Sequence, residues 1–179
     1  MPTIQPIRTE HATGSTKRLL EALKAEGSST NNMIQTMAHS PSALEGYLQL
    51  RRTLASGRLG PKLRDRIALT VAQANNCEYS LARNTALARQ HGLTEEEIFA
   101  SRDVQGGDEL TGVVLQFAHN LVTRSGKYSP ELMRAAGYTD EEIVETVAWV
   151  ALNVFANYLN LAAWTDIDFP LAAVKSKAA

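Results

Sequence analysis

The chain has 179 residues, 44% of them hydrophobic and 21% charged, with 18 basic and 19 acidic side chains and a formal net charge of −1. That composition supports one compact domain with a sizeable core and excludes global disorder, and it carries neither the basic excess nor the basic cluster of a duplex-binding surface. A single cysteine, Cys77, excludes an intrachain disulfide and any cysteine-rich zinc or iron–sulfur site.

The opening segment, Met1-Pro2-Thr3-Ile4, has no apolar run of the secretory kind, and residues 1–15 are expected to form a loose arm. Helix periodicity then dominates, and no stretch alternates with period two. A first helix is predicted over Thr16–Glu26, ended by Gly27, and a short second one over Asn31–His39. Ser40-Pro41 is a start signal, with the serine as cap and the proline in the first turn, for a third helix to about Ser56. Pro61 opens a fourth, to about Asn75. Leu63, Ile67 and Val71 line one side of it and Leu69 and Ala72 nearly the opposite side, the pattern of a helix buried between neighbours. Asp65 shares the second side.

After a break at Asn75-Asn76, a fifth helix is predicted from about Cys77 to His91, with Gly92 as its stop. Thr94-Glu95-Glu96-Glu97 is a capping box opening a short sixth helix. Asp108 caps a seventh to about Ser125, and Ser129-Pro130 opens a short eighth that Gly137 stops. Thr139-Asp140-Glu141-Glu142, a second capping box, opens a long ninth to about Trp164. Residues 87–98 and 132–143 echo one another, either as two copies of a common helix–glycine–cap corner or as a duplicated hairpin. Connections are short throughout, so one all-α domain of eight or nine helices is expected over residues 1–179, with a loose tail over residues 171–179. The most apolar stretch, Ile143–Trp164, is interrupted by Glu145, Asn153, Asn157 and Asn160. It reads as a helix buried in protein, partly against another subunit, and not as a membrane span. A lone cysteine and no export signal point to the cytoplasm.

Cys77 starts a helix, where unpaired backbone N–H groups and the helix dipole favour an anion and hence a reactive thiolate. Ser80 and Asn84 follow on its face at helical spacing, and Asp65 precedes it on the packed helix before. A carboxylate, a thiol, a hydroxyl and an amide are thereby candidates to converge, against the alternative of a small buried cysteine with caps and surface residues around it. No metal site or cofactor is expected: His91 and Glu95 stand one turn apart, but Gly92 breaks the helix between them.

The run Leu63-Arg64-Asp65-Arg66-Ile67-Ala68-Leu69 through Asn75-Asn76-Cys77-Glu78-Tyr79 resembles the core of the carboxymuconolactone decarboxylase superfamily, and within it the alkyl hydroperoxidase D-like (AhpD-like) branch. Ala38-His39-Ser40-Pro41, Thr85-Ala86-Leu87-Ala88, Gly92–Ile98, residues 153–160 and residues 166–170 extend the likeness over about residues 15–170, with the family core over about 40–165. The resemblance implies an all-α trimer or hexamer. Redox members carry a glutamate, then a Cys-x-x-Cys, then a histidine, with the two thiols cycling through a disulfide. By that correspondence Asp65 stands at the glutamate, Cys77 at the first cysteine, Ser80 at the second and Asn84 at the histidine.

Ser80 cannot close a disulfide and Asn84 cannot titrate near neutral pH. By resemblance the chain is a peroxiredoxin-type, alkyl hydroperoxide-reducing oxidoreductase with its dithiol chemistry weakened or lost. A one-cysteine cycle would pass through a sulfenic acid at Cys77 resolved by an external thiol reductant. His39, His91 and His119 are the histidines that could replace the missing base, each expected to be a cap, surface or core residue. The alternatives are a cofactor-free acid–base enzyme of the decarboxylase kind and a non-catalytic small-molecule-binding oligomer. The mark of the acid–base enzyme would be arginines in its pocket. Arg64, Arg66 and Arg83 are the candidates, each expected to be solvated surface. Neither nucleic acid nor membrane is an expected partner.

Overall fold

The computed structural model describes residues 1–27 and 30–172. Of the expected loose tail over residues 171–179, residues 173–179 lie outside the described residues. Among the described residues the architecture is all-helical: a short 3-10 turn at Thr9–His11, then α1 (Gly14–Ala25), α2 (Asn32–Met37), α3 (Pro41–Ala55), α4 (Pro61–Ala74), α5 (Glu78–Gln90), α6 (Glu95–Arg102), α7 (Glu109–Thr123), α8 (Glu131–Ala135) and α9 (Asp140–Ala163).

The caps fall where the sequence sets them. Ser40 accepts a hydrogen bond from Ala43 N, Asp108 from Thr111 N, and both Thr94-x-x-Glu97 and Thr139-x-x-Glu142 form reciprocal capping boxes. Helix α4 is central, packed by α5, α6, α7 and α9. Its two apolar sides are spent accordingly: Ile67 and Val71 enter the main core with Leu44, Val114, Leu115 and Trp149, and Leu69 enters a second cluster with Ala88, Leu93 and Ile98. Arg66, expected at the surface, is buried between α4 and α6, where it donates to the Gly106 carbonyl oxygen at 2.8 Å and to Glu97 at 2.6 Å. It is a structural cross-brace.

The N-terminal arm is tied down where looseness was expected. Thr3 N donates to Ala163 O at 2.8 Å and Ile7 N to Gln35 O at 3.2 Å. The arm satisfies carbonyls that the end of α9 leaves open, which is the physical reason it does not fray. At the other end Asp168 accepts from Asn32 N at 2.7 Å and from the Tyr79 hydroxyl at 2.8 Å, closing the segment after α9 over α2 and α5.

Helix α9 is long and apolar enough, by composition, to cross a membrane. Its inner side is occupied by the bundle, through Ile143, Trp149, Val150, Leu152 and Ala156. Its outer side shows Val144, Val147, Phe155, Tyr158 and Leu161 to solvent.

Candidate functional site

The corner between α4 and α5 is built on Asn76, which takes a left-handed conformation (φ 51°) that asparagine tolerates better than most side chains. That turn lets Cys77 N donate back to Ala72 O and places Cys77 as the N-cap of α5, without a side-chain capping bond. The thiol is turned inward and is 1% exposed. Its sulfur lies 3.2 Å from Ser80 Oγ and 3.8 Å from the carbonyl oxygen of Asn157 on α9. Asn160 Nδ2 donates to Ser80 Oγ at 3.3 Å. Cys77, Ser80, Asn157 and Asn160 therefore form one buried polar knot between α5 and α9. Within it the Asn157 amide and Asn160 Oδ1 have no hydrogen-bond partner among the described residues.

Asp65 and Asn84 do not join that knot. Asn84 donates through Nδ2 to Ala68 O at 3.2 Å and accepts from Arg83 Nη1 at 3.1 Å. Asp65 faces His91, the residue that ends α5, with Oδ2 and Nδ1 2.5 Å apart. Asp65 is largely covered and His91 half open, with side-chain exposures of 13% and 46%. Of the predicted four, Cys77 and Ser80 meet in the core, while Asp65 and Asn84 line a separate cavity of about 230 Å³. Cys77 is not among the residues lining it.

That cavity is bounded by α3, α4, α5 and α9. Tyr47, Trp149 and Leu152 form apolar walls, and Arg51, Arg64 and Arg83 bring three guanidinium groups to it. Arg64 is held by Ala55 O at 2.7 Å and lies over the Trp149 ring, 5.5 Å from its centroid. Arg51 still meets solvent. Even so, partial desolvation against the wall pushes its guanidinium below the ordinary value, and the positive charge of Arg83 pushes it further the same way. The Asp65 carboxyl is pushed up from its ordinary value by burial, which outweighs the opposing bond from His91 and the charges of Arg64 and Arg83. Three cations against one carboxylate that is already paired leave the cavity net positive.

Arg64 and Arg83 thus line a cavity where solvated surface was expected, because α3 and α9 close over the side of α4 and α5 that carries them. Arg51 and Tyr47 were not singled out from the sequence. The spacing of Tyr47, Arg51 and Ala55 along one side of α3 is the signal that points to them. His91 is one of the three histidines considered. His39 instead pairs with Gln5 O at 2.8 Å. Among the described residues no group of three or more histidine, cysteine, aspartate or glutamate side chains is placed to hold a metal ion.

Residues 41–118 match the family model described as "Carboxymuconolactone decarboxylase family". No curated protein matches the chain in sequence. Solved structures share the fold. A peroxidase-related protein from Ralstonia eutropha JMP134, described as an alkylhydroperoxidase AhpD core, superposes with a TM-score of 0.79 at 19% identity, over 93% of this chain and 92% of that one. A peroxidase-related protein from Silicibacter sp. TM1040 gives 0.76 at 20% identity, over 92% and 91%. The debrominase Bmp8 gives 0.76 at 20% identity over the same shares, and its cysteine-to-alanine variant, in complex with 2,3,4-tribromopyrrole, gives 0.74.

Proposed function

We propose that the chain, which matches the carboxymuconolactone decarboxylase family model over residues 41–118 and shares its fold with an AhpD core protein, is a cofactor-independent acid–base enzyme acting on a small anionic substrate in the cavity beside His91. The observation that carries this reading is the Asp65–His91 pair standing in an arginine-lined cavity from which the lone thiol is turned away. A carboxylate acceptor at Nδ1 requires the proton on that nitrogen, which leaves Nε2 as the free acceptor that can take a proton from a bound substrate. Asp65 then stabilises the imidazolium that forms. Arg51, Arg64 and Arg83 hold the substrate anion and stabilise negative charge that develops next to it, in a partly desolvated site where such contacts count for more than in water. Trp149 and Tyr47 exclude water from one side.

The reaction class is proton transfer at a carbon next to a carboxylate or carbonyl group, with or without loss of carbon dioxide. The test is solvent-deuterium incorporation into, and carbon dioxide release from, a panel of carboxylated lactones and keto acids, with carboxymuconolactone included. His91→Gln is expected to lower turnover by about 10²- to 10⁴-fold, the usual contribution of a positioned general base. Equal turnover by both proteins would sink the assignment.

The second reading keeps the thiol. Two solved relatives by fold are described as peroxidase-related, and a debrominase of the same fold was captured with its ligand as a cysteine variant. In this chain Cys77 would be oxidised by the peroxide to a sulfenic acid with release of the alcohol; one external thiol would condense with it to a mixed disulfide, releasing water, and a second would free Cys77 and leave as the donor disulfide. The assay is peroxide turnover with a thiol donor. Loss of turnover in Cys77→Ser would establish this reading over the first.

A further inference from the structure

A cavity and a surface groove lie next to one another along the seam between α3 and α9. The arginine-lined cavity takes Tyr47, Arg51 and Ala55 from α3 and Trp149, Leu152 and Asn153 from α9. An open groove of about 350 Å³ takes Gly46, Tyr47 and Leu50 from α3 and Ala151, Leu152 and Phe155 from α9. Tyr47 and Leu152 line both, so the two spaces lie side by side across these residues. Moving toward the N-terminus of α3 and the C-terminus of α9, the seam changes from three guanidinium groups to a lining with no charged side chain. The groove follows α3 from Ser42 to Leu50, a rise of roughly 12 Å. Gly46 keeps it open, with free space where a side chain would begin. Phe155 packs on Tyr47, with ring centroids 6.2 Å apart, and forms the far wall.

We propose that the ligand of this seam is an amphipathic carboxylate. Its head sits among Arg51, Arg64 and Arg83, and an unbranched apolar tail runs past Tyr47 and Leu152 along the groove between Gly46 and Phe155. The assignment rests on the anion-binding cavity proposed above and names the rest of the molecule that cavity would take. Charge decides the occupant. A tail alone has no reason to stop at three cations, and a small polar anion leaves the adjoining apolar groove unused. A ligand with one anionic and one apolar end matches both in the order in which they occur. The competing occupant is a second copy of this chain, because Leu50 and Phe155 are exposed next to the apolar outer side of α9.

The experiment is calorimetric titration of the full chain with butyrate, hexanoate, octanoate and decanoate below their micellar concentrations, with octanol as a headless control. Affinity is expected to rise roughly two- to fourfold per methylene, as for chain buried on one side or fully. Octanol is expected to bind at least about tenfold more weakly than octanoate, for want of charge-assisted contacts. Gly46→Leu has room to fold and improves helix propensity, and it should flatten the chain-length gradient. Equal affinity for butyrate and octanoate would overturn the tail assignment and leave the anion cavity standing. Failure of every carboxylate to bind would remove the cavity reading as well. A change in sedimentation mass for Gly46→Leu, in place of a change in the gradient, would give the groove to a second copy and overturn the proposal.

Discussion

Gly57 sits against the end of the Glu145 side chain from α9, so a methyl group there displaces that carboxylate. A Cβ built on it would lie 1.3 Å from Glu145 Oε1. That carboxylate accepts from Arg58 N at 2.9 Å and from Leu59 N at 3.0 Å, and so pins the α3–α4 connection to α9 one turn before Trp149. Gly57→Ala must push the carboxylate out and break both bonds. Hydrogen bonds to a charged group contribute about 1.5–3 kcal/mol each, and Glu145 is half-buried, so the lower figure applies and the two together are worth about 3 kcal/mol. The alanine returns about 0.4–1 kcal/mol by restricting the unfolded chain. The net loss is about 2 kcal/mol, a fall of about 4–8 °C in Tm for a domain of this size. Thermal unfolding by circular dichroism measures it, in a cycle with Glu145→Ala. Once Glu145 is absent, Gly57→Ala should be neutral or slightly stabilising. Additive losses in the double variant, or an unchanged Tm for Gly57→Ala, would refute the clamp.

Three further outcomes are expected. Arg83→Met weakens binding of a short carboxylate about 10- to 100-fold by loss of a charge-assisted contact, measured by calorimetry at fixed salt. Asp65→Asn makes melting temperature less dependent on pH. Burial raises the Asp65 carboxyl in the folded chain, so the folded state binds more protons than the unfolded one between the ordinary aspartate value, about 4, and the raised value. Stability therefore falls as pH rises through that window and stays lower above it; the variant should melt higher than wild type at about pH 7, and melts across pH check the sign. Cys77, 1% exposed, should react with a bulky aromatic disulfide at least about 100-fold faster in denaturant than in buffer, because labelling of the native chain needs local opening; equal rates would contradict the buried knot.

Helix positions were legible because they rest on local chemistry. Ser40-Pro41, the two Thr-x-x-Glu boxes and Gly92 act within one turn of themselves, and each ends or begins a helix where local rules put it. The two-sided pattern of α4 likewise foretold its central place. The site was legible only in part. Spacing along α5 correctly put Ser80 over Cys77, a contact within one helix turn. It could not say that Asp65 turns to His91, since that pairing joins residues on opposite ends of a hairpin and depends on how α4 and α5 pack. Tyr47 and Arg51 come from α3, which no local pattern ties to α4. The tethered N-terminal arm was missed for the same reason, as its partners are carbonyls at the far end of the chain.

The most direct test is one comparison: deuterium incorporation into the carboxylate panel by wild type, His91→Gln and Cys77→Ser, followed by proton NMR. The acid–base account predicts that Cys77→Ser keeps wild-type turnover while His91→Gln loses about 10²- to 10⁴-fold. The reverse result, turnover that survives loss of His91 and vanishes with Cys77, would contradict it and return the chemistry to the thiol.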